Sequence, residues 1–266
     1  MDLDLSGKTA IVTGGSRGIG KAVARQLALE GVEVAVVSRG QEALEATARE
    51  LAQETGRRFF PIPVDTGDDQ SVRAMTHQAA TALGHLDILV NCAARPGGQG
   101  PVPKLSEITS ELFWEDVNVK VMGYLRCARE VAPYMMQRGW GRIINISGLA
   151  ARQSGSAIGS MRNVAVVAMT KNLADELGPH GINVTVVHPG TTRTEATAGV
   201  IANRARSQGL SPEEVEQRMA QANSVRRIVD ARDIAYIVAF LASPKAVAIN
   251  GDVIAAGGGV GHAIYY

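Results

Sequence analysis

Short apolar runs alternate with longer amphipathic segments along the whole chain. The runs are rich in Val and Ile, which is typical of strands that are buried on both faces of a parallel sheet. In the longer segments apolar residues recur three and four positions apart, as Ile19, Val23 and Leu27 do, and this spacing predicts helices. The predicted strands are 8–13, 32–37, 60–64, 86–91, 142–147, 182–187 and 251–255. The predicted helices are 18–30, 41–54, 68–83, 110–138, 159–177 and 230–241.

This alternation predicts an α/β fold, a doubly wound parallel sheet of about seven strands with helices on both faces. No Pro- or Ser-rich linker interrupts the pattern, so residues 1–266 are expected to form a single dinucleotide-binding domain. The main irregular segment, at about 191–223, is polar and helix-prone. It is either a substrate lid or a surface helical hairpin, and the sequence favours neither.

A glycine-rich turn joins the first predicted strand to the first predicted helix, with the sequence Thr13-Gly14-Gly15-Ser16-Arg17-Gly18-Ile19-Gly20. Glycines allow a sharp turn and a close approach to a pyrophosphate, whose charge suits the free N–H groups of a helix N-terminus. The spacing Gly14-x3-Gly18-x-Gly20 differs from G-x-G-x-x-G, and the alternative is a purely structural turn. Its place between a strand and a helix favours binding. The expected cofactor contacts are Gly14, Ser16, Arg17, Gly18, Ile19 and Gly20.

The end of the second strand indicates which dinucleotide is bound. An acidic residue there would bond the ribose 2′-hydroxyl of NAD, whereas this chain has Ser38 and Arg39. Together with Arg17, Arg39 suits a 2′-phosphate, which accepts forked hydrogen bonds from guanidinium groups. We therefore expect NADP(H) rather than NAD(H); the alternative is that both arginines are solvated surface charges. Asp65 is predicted to bond the adenine amino group, to cap the following helix, or both.

Together with these residues, later motifs make the chain resemble the short-chain dehydrogenase/reductase family. The motifs are Asn91-Cys92-Ala93-Ala94, Val117-Asn118-Val119, Gly141-Arg-Ile-Ile-Asn-Ile-Ser147 and Pro189-Gly190-x3-Thr194. The resemblance implies hydride transfer between nicotinamide and a carbonyl or alcohol substrate, in a homo-oligomer (a tetramer or dimer). It also implies that Asn91 and Ala93 line the adenosine side. Pro189, Gly190 and Thr194 would hold the nicotinamide end.

The chain departs from the resemblance at the proton-transfer residues. Family members usually carry a Ser and then Tyr-x-x-x-Lys on the following helix, with the Tyr as general acid/base and the Lys lowering the pKa of the Tyr. This chain has no Tyr between Tyr134 and Tyr236 and no Lys between Lys120 and Lys171. Loss of a general acid–base group typically costs about 10²–10⁴-fold in rate.

Counting back from Met169-Thr170-Lys171 places Gly159 at the Tyr position, Asn163 at the Lys position and Gly148 at the Ser position. Asn118 is the one member of the usual catalytic set that remains. The predicted catalytic residues are therefore Asn118, Ser147 and Asn163. An unassisted serine is a poor acid, so Ser147 is expected mainly to orient substrate. Asn163 could hydrogen-bond the ribose but supplies no charge.

Other residues are candidates for proton transfer or substrate binding, and each also has a structural explanation. Ser154, Ser156 and Ser160 are candidate proton donors, or they orient substrate or cap a helix. Arg152 and Arg162 hold a substrate carboxylate or phosphate, or are solvated. His188 titrates near neutral pH, or is simply packed. At the C-terminus, either His262 or one of the terminal tyrosines, Tyr265 and Tyr266, supplies a proton to a neighbouring subunit, or the tail is flexible.

The composition of the chain limits the kinds of partner that are expected. The net charge of +1 and the 4% of aromatic residues give no basis for nucleic-acid binding. Cys92 and Cys127 have neither a CxxC nor a metal-ligand spacing, so no metal is expected and a reduced, cytoplasmic setting is favoured. Asp2 and Asp4 precede no signal-like apolar region, and no stretch predicts a membrane span. The expected partner is a small-molecule substrate.

Three functions remain open. The first is an NADP(H)-dependent oxidoreductase with an altered proton relay. The second is an NADP(H)-binding protein without redox activity, acting as an inactive partner or a sensor. The third is a non-redox enzyme on the same fold, such as a lyase or dehalogenase, against which the intact glycines count.

Overall fold

Strands and helices alternate in the computed structural model, which describes residues 1–95 and 102–261. The strands are β1 (Thr9–Thr13), β2 (Glu33–Ser38), β3 (Phe59–Pro63), β4 (Ile88–Asn91), β5 (Gly141–Ile146), β6 (Ile182–Pro189), β7 (Thr192–Arg193), β8 (Val229–Asp230) and β9 (Val253–Ala256). The helices are α1 (Gly18–Leu29), α2 (Gln41–Thr55), α3 (Asp69–Leu83), α4 (Ser110–Val117), α5 (Gly123–Arg138), α6 (Ala157–Leu177), α7 (Thr197–Gln208), α8 (Pro212–Gln221) and α9 (Ala231–Ala242).

One seven-stranded sheet has the order β3-β2-β1-β4-β5-β6-β9, and every neighbouring pair in it is parallel. The order reverses at β1, where Thr13 pairs with Val37 of β2 on one side and Asn91 of β4 on the other. In open sheets of this kind, ligands bind outside the carboxyl ends of the strands at the reversal. The predicted doubly wound sheet is confirmed.

Helices cover both faces of the sheet. Ile11 and Val12 are adjacent on β1 and both fully buried, yet they belong to different core clusters. Val12 packs with side chains of α1, α2 and α9, whereas Ile11 packs with side chains of α3, α5 and α6. Successive strand residues point to opposite faces. The unbroken Val/Ile runs in the sequence therefore reflect burial on both sides.

The predicted helix over residues 110–138 is interrupted. A π-helical turn at Asn118–Met122 separates α4 from α5. Such a wide turn accommodates an extra residue, and π-bulges are frequent at functional sites. The apolar spacing of the segment did not indicate it, because both halves keep a helical period.

The segment at 191–223 contains α7 and α8, and β7 within it pairs with β8 in a separate two-stranded sheet. Strands of two residues are too short to leave a sequence pattern. The two helices bury a small cluster of their own, formed by Ile201, Ala205, Val215, Met219 and Ile228.

Two further properties concern the described residues alone. None of their helices is long and apolar enough to cross a membrane. Across residues 1–95 and 102–261, no three His, Cys, Asp or Glu side chains are grouped so that they could hold a metal ion.

Candidate functional site

The glycine turn between β1 and α1 has a backbone that only glycine fits. Gly14 and Gly18 have φ angles of 65° and 57°, in the left-handed region. A Cβ atom on Gly20 would lie 2.3 Å from the backbone oxygen of Gly14. Arg17, at the N-cap of α1, makes no side-chain capping bond, so the first turn of the helix keeps backbone N–H groups available to an anion.

A carboxylate already lies against this turn. The Oε2 atom of Glu195, just after β7, accepts a hydrogen bond of 3.0 Å from the backbone N–H of Gly18. Next to it, the side chain of Thr194 approaches within 3.6 Å of the point where a Gly18 Cβ would lie. The sequence suggested Thr194 but not Glu195. The contact shows that this helix end accepts a negative charge.

The end of β2 carries a polar atom without a protein partner. The Oγ atom of Ser38 is buried and makes no hydrogen bond with any described residue. Arg39, the next residue, and Arg17, across in the glycine turn, are both exposed. The Ser16 carbonyl is held by the Thr47 hydroxyl at 3.0 Å. A phosphorylated ribose would give Ser38 and both guanidinium groups a partner, so the residues present fit an NADP(H) adenosine.

Asp65 follows β3 and is exposed. Its carboxylate accepts a hydrogen bond of 2.9 Å from the backbone N–H of Gly67. The prediction that Asp65 caps the next helix is wrong: Asp68 is the N-cap of α3, and its Oδ2 accepts from Ser71 N at 2.6 Å. Both aspartates precede the helix, and the three-residue Asx-type loop at Asp65 delays its start.

The ends of β1 and β4 are tied together by a threonine. The hydroxyl of Thr13 accepts hydrogen bonds from the backbone N–H groups of Cys92 (3.0 Å) and Ala93 (3.1 Å). Asn91 is fully buried, and its Nδ2 donates to Asn145 Oδ1 at 2.9 Å. The side chain of Asn91 is thus bonded across to β5, while Ala93 lies at the opening beside the glycine turn.

Two of the three predicted catalytic residues lie together. The Ser147 hydroxyl, just after β5, donates to the backbone oxygen of Asn163 on α6 at 3.2 Å. The Asn163 side chain is buried, and its Oδ1 has no hydrogen-bond partner among the described residues. Its Nδ2 lies 3.3 Å from where a Cβ of Gly148 would be. The backbone N–H of Gly159, one turn earlier on α6, donates a capping hydrogen bond of 3.1 Å to the Oγ atom of Ser156.

Asn118 has different partners. Its Nδ2 donates to the Gly67 oxygen at 3.2 Å, in the loop before α3, and its backbone oxygen accepts from Arg126 at 3.1 Å. Its side chain therefore holds the wide turn at the start of α5 to the β3–α3 loop. No hydrogen bond joins it to Ser147 or Asn163 in the described part of the chain.

A buried lysine, which the sequence analysis did not single out, lies at the end of β5. Lys120 is 3% exposed, and its Nζ donates to the Ser147 oxygen at 2.9 Å. Burial, and then the charge of Arg162, lower the pKa of Lys120 to about 7. Only its position two residues after Asn118 could have drawn attention to it.

Two titratable neighbours of Lys120, Cys92 and His188, are neutral around pH 7. Burial raises the pKa of Cys92 to about 12, and burial together with nearby Arg152 and Lys120 lowers the pKa of His188 to about 4. Both ring nitrogens of His188 lack a hydrogen-bond partner among the described residues. Of the two readings of His188, the structure agrees with simple packing, because burial of the ring lowers its pKa well below neutral.

The remaining candidates have structural partners. Arg162 forms a short ion pair with Asp116 of α4, so neither charge is solvated. Ser156 caps α6, as its simpler reading expected, and Ser160 donates to the Gln153 oxygen at 3.0 Å.

The strand end after β6 is tightly packed. Pro189 is the last residue of β6, and a Cβ on Gly190 would lie 2.9 Å from the Gly257 Cα. The candidates His262, Tyr265 and Tyr266 lie outside the described residues.

The glycine turn lies where the order of the parallel sheet reverses, beside a helix end that accepts an anion and a serine at the end of β2 whose hydroxyl has no partner among the described residues. These features define a dinucleotide-binding Rossmann-type protein. The chain matches the family described as Enoyl-(Acyl carrier protein) reductase over residues 14–261. It belongs to the short-chain dehydrogenase/reductase family of oxidoreductases.

Individual relatives agree with this assignment. A protein named "Putative ketoacyl reductase" from Streptomyces coelicolor is 33% identical over 259 residues, which cover 96% of this chain and 97% of that protein. The crystal structure of L-sorbose reductase from Gluconobacter frateurii complexed with NADPH and L-sorbose is 28% identical with a TM-score of 0.91, covering 99% and 100% of the two chains. A variant of actinorhodin polyketide ketoreductase with NADPH is 32% identical with a TM-score of 0.88, covering 96% and 98%.

Proposed function

We propose that this protein is an NADP(H)-dependent oxidoreductase that transfers hydride between nicotinamide and a carbonyl or alcohol substrate through a non-standard proton relay. The observation that carries the proposal is the unpaired, buried hydroxyl of Ser38 beside Arg39 and the glycine turn. The NADPH found in the L-sorbose reductase and ketoreductase structures supports the same cofactor. When bound, NADPH supplies the hydride.

Each group of residues has a role in this proposal. The turn from Gly14 to Gly20 binds the pyrophosphate, and Arg17, Ser38 and Arg39 bind the 2′-phosphate. Asp65, Asn91 and Ala93 border the adenosine, although the side chain of Asn91 acts through Asn145. Pro189, Gly190 and Thr194 border the nicotinamide. Ser147 and Asn163 orient the substrate and ribose, and Asn118 holds the wide turn against the β3–α3 loop.

The cofactor part is tested by titrating the protein with NADPH and NADH while following tryptophan fluorescence. Arg39→Ala is expected to weaken NADPH binding about 10- to 100-fold, because a charge-assisted hydrogen bond contributes roughly 1.5–3 kcal/mol. NADH binding should stay unchanged. Arg49→Ala, which removes another exposed arginine on α2, is the matched control. Equal binding of both nucleotides by the unmodified protein would contradict the assignment.

The relay is tested by restoring the missing groups. Gly159→Tyr combined with Asn163→Lys is expected to raise reductase turnover about 10²–10⁴-fold on a panel of ketones and aldehydes. A Cβ at Gly159 first meets the Ser156 hydroxyl at 2.9 Å, a small side chain that can rotate. A conventional turnover number in the unmodified protein, with no gain in the double variant, would show that a complete relay already exists.

A second function is an NADP(H)-binding protein without redox activity. The observation that favours it is the pair Gly159 and Asn163, which occupy the two positions where the resemblance leads one to expect Tyr and Lys. Tight NADPH binding with no turnover on any substrate of the panel would support this function over the first.

We also propose that the protein is a homo-oligomer. Trp114 on α4, Met122 in the π-helical turn, and Met161 and Val164 on α6 are exposed apolar side chains on elements that contact one another. A second copy of the chain would cover them symmetrically. Trp114→Glu should therefore lower the mass measured by light scattering, whereas Val247→Glu, at an exposed apolar residue elsewhere, should not.

We also propose that the segment at 191–223 is a substrate lid. The separate cluster of α7 and α8 lets residues 191–223 move as a unit over the substrate, so NADPH with substrate should protect this segment from limited proteolysis. Unchanged cleavage would favour a fixed helical hairpin.

Because Cys92 and Cys127 are free thiols, the cytoplasm is the proposed compartment.

A further inference from the structure

The amine of Lys120 occupies a central place beneath the crevice. It is bonded to the Ser147 oxygen at the carboxyl end of β5. Its charge acts on His188 of β6, and the thiol of Cys92, directly after β4, acts on it in turn. Lys120 thus lies under the ends of three adjacent strands. This is the part of the crevice that extends away from the glycine turn of β1.

Lys120 is also a described group near the crevice whose charge changes around neutral pH. The groups that act on it, or on His188, from the surrounding elements are Cys92 after β4, Asp116 on α4, Arg152 after β5 and Arg162 on α6, and Tyr124 on α5 lies beside Cys92 and Arg162. Cys92 and Tyr124 have raised pKa values and stay neutral, and His188 has a pKa of about 4 and is neutral as well. Asp116 and Arg162 compensate each other as an ion pair. The pKa of Lys120 itself is about 7.

We propose that Lys120 determines the redox-state specificity of the cofactor site, favouring NADPH over NADP⁺, an inference that rests on the proposed NADP(H) function. The oxidised nicotinamide ring carries a positive charge and the reduced ring carries none. A protonated Lys120 therefore repels the oxidised form, and the repulsion is strong because the amine is buried away from water. When Lys120 loses its proton, the preference declines.

The test is the ratio of the dissociation constants of NADP⁺ and NADPH, measured by calorimetry on the full chain at pH 6 and pH 8.5. Both nucleotides carry the 2′-phosphate, so its own titration cancels in the ratio. In the unmodified protein the ratio should fall about tenfold between the two pH values. Lys120→Met should show the low ratio at both pH values. Lys120→Arg, which keeps its charge, should show the high ratio at both.

Lys171→Met is the matched control, because Lys171 is an exposed lysine of α6 paired with Asp175. It should reproduce the unmodified protein. A Lys120→Met protein with the unmodified ratio at pH 6 would overturn the inference. If that variant does not fold, Lys120→Arg decides: a ratio at pH 8.5 equal to that of the unmodified protein would overturn it as well.

Different experimental results would contradict the inference about Lys120 and the proposed function. Failure of both nucleotides to bind contradicts the cofactor assignment and the inference with it. Binding with the expected pH-dependent ratio but no turnover supports Lys120 and contradicts only the redox function.

Discussion

The glycine turn and the end of β5 face the same crevice but are built in different ways. The turn is made of eight consecutive residues, and its shape follows from close backbone approaches such as that of Gly20 to Gly14. The end of β5 gathers side chains from separate segments: Lys120, Ser147, Asn163 and His188. A glycine turn can therefore be recognised in the sequence alone, whereas the buried amine of Lys120 at the end of β5 depends on how the sheet assembles.

The largest difference between the two regions is expected for a change to the backbone of the glycine turn. Gly20→Ala places a Cβ only 2.3 Å from the Gly14 oxygen, so the free energy of unfolding should fall by roughly 3 kcal/mol and NADPH binding should be lost. Urea denaturation and fluorescence titration measure the two effects. In Gly199→Ala, on α7, the added Cβ meets nothing within 4 Å, so stability should change by less than about 1 kcal/mol. Equal effects at both glycines would mean that the close approach is unimportant.

Thr13, the first residue of the turn, is linked through its side chain to the end of β4, the strand that lies between β1 and β5. Thr13→Val leaves the N–H groups of Cys92 and Ala93 without their acceptor and should lower the free energy of unfolding by about 2–3 kcal/mol. Thr13→Ser keeps the hydroxyl and should recover most of this loss. Comparable denaturation midpoints for the Val and Ser variants would count against the link.

The end of β5 should show its own signature in the pH dependence of stability. The pKa of Lys120 is about 7 in the folded protein, below its ordinary value of 10.5. Between these values the unfolded chain binds a proton that the folded protein does not, so the free energy of unfolding rises with pH. From pH 7 to pH 9 the unmodified protein should gain roughly 2 kcal/mol relative to Lys120→Met. Parallel curves for the two proteins would mean that Lys120 is charged to the same extent in both states.

The smallest effect is expected where Glu195 lies against the turn. Its carboxylate bonds the Gly18 N–H, which the pyrophosphate would also use. Glu195→Gln removes this charge from the helix end and should tighten NADPH binding about 2- to 5-fold, in line with charge effects at helix termini. Glu213→Gln, at an exposed glutamate in the first turn of α8, should leave the affinity unchanged. Weaker binding in Glu195→Gln would indicate that the carboxylate supports the turn instead.

The sequence predicted what depends on local pattern. Seven strands, their parallel arrangement and the helices between them follow from apolar periodicity, and their ends agree with the structure to within about two residues. The start of α3 at Asp68 was predicted, but Asp65 was also offered as its N-cap, because two nearby aspartates have equal capping ability. The β7–β8 pairing and the buried amine of Lys120 could not be predicted, since both depend on contacts between segments far apart in the chain.

Because of the π-helical turn at Asn118–Met122, the geometry of the site depends on the number of residues between α4 and α5. Each residue of an α-helix advances its direction by about 100°, so the extra residue in the wide turn sets the angular phase between α4 and α5. Deleting one residue there would restore a regular helix and rotate one half against the other by the same angle. Asn118 and Lys120 would then point away from Gly67 and Ser147 together, although no residue type in the strands had changed.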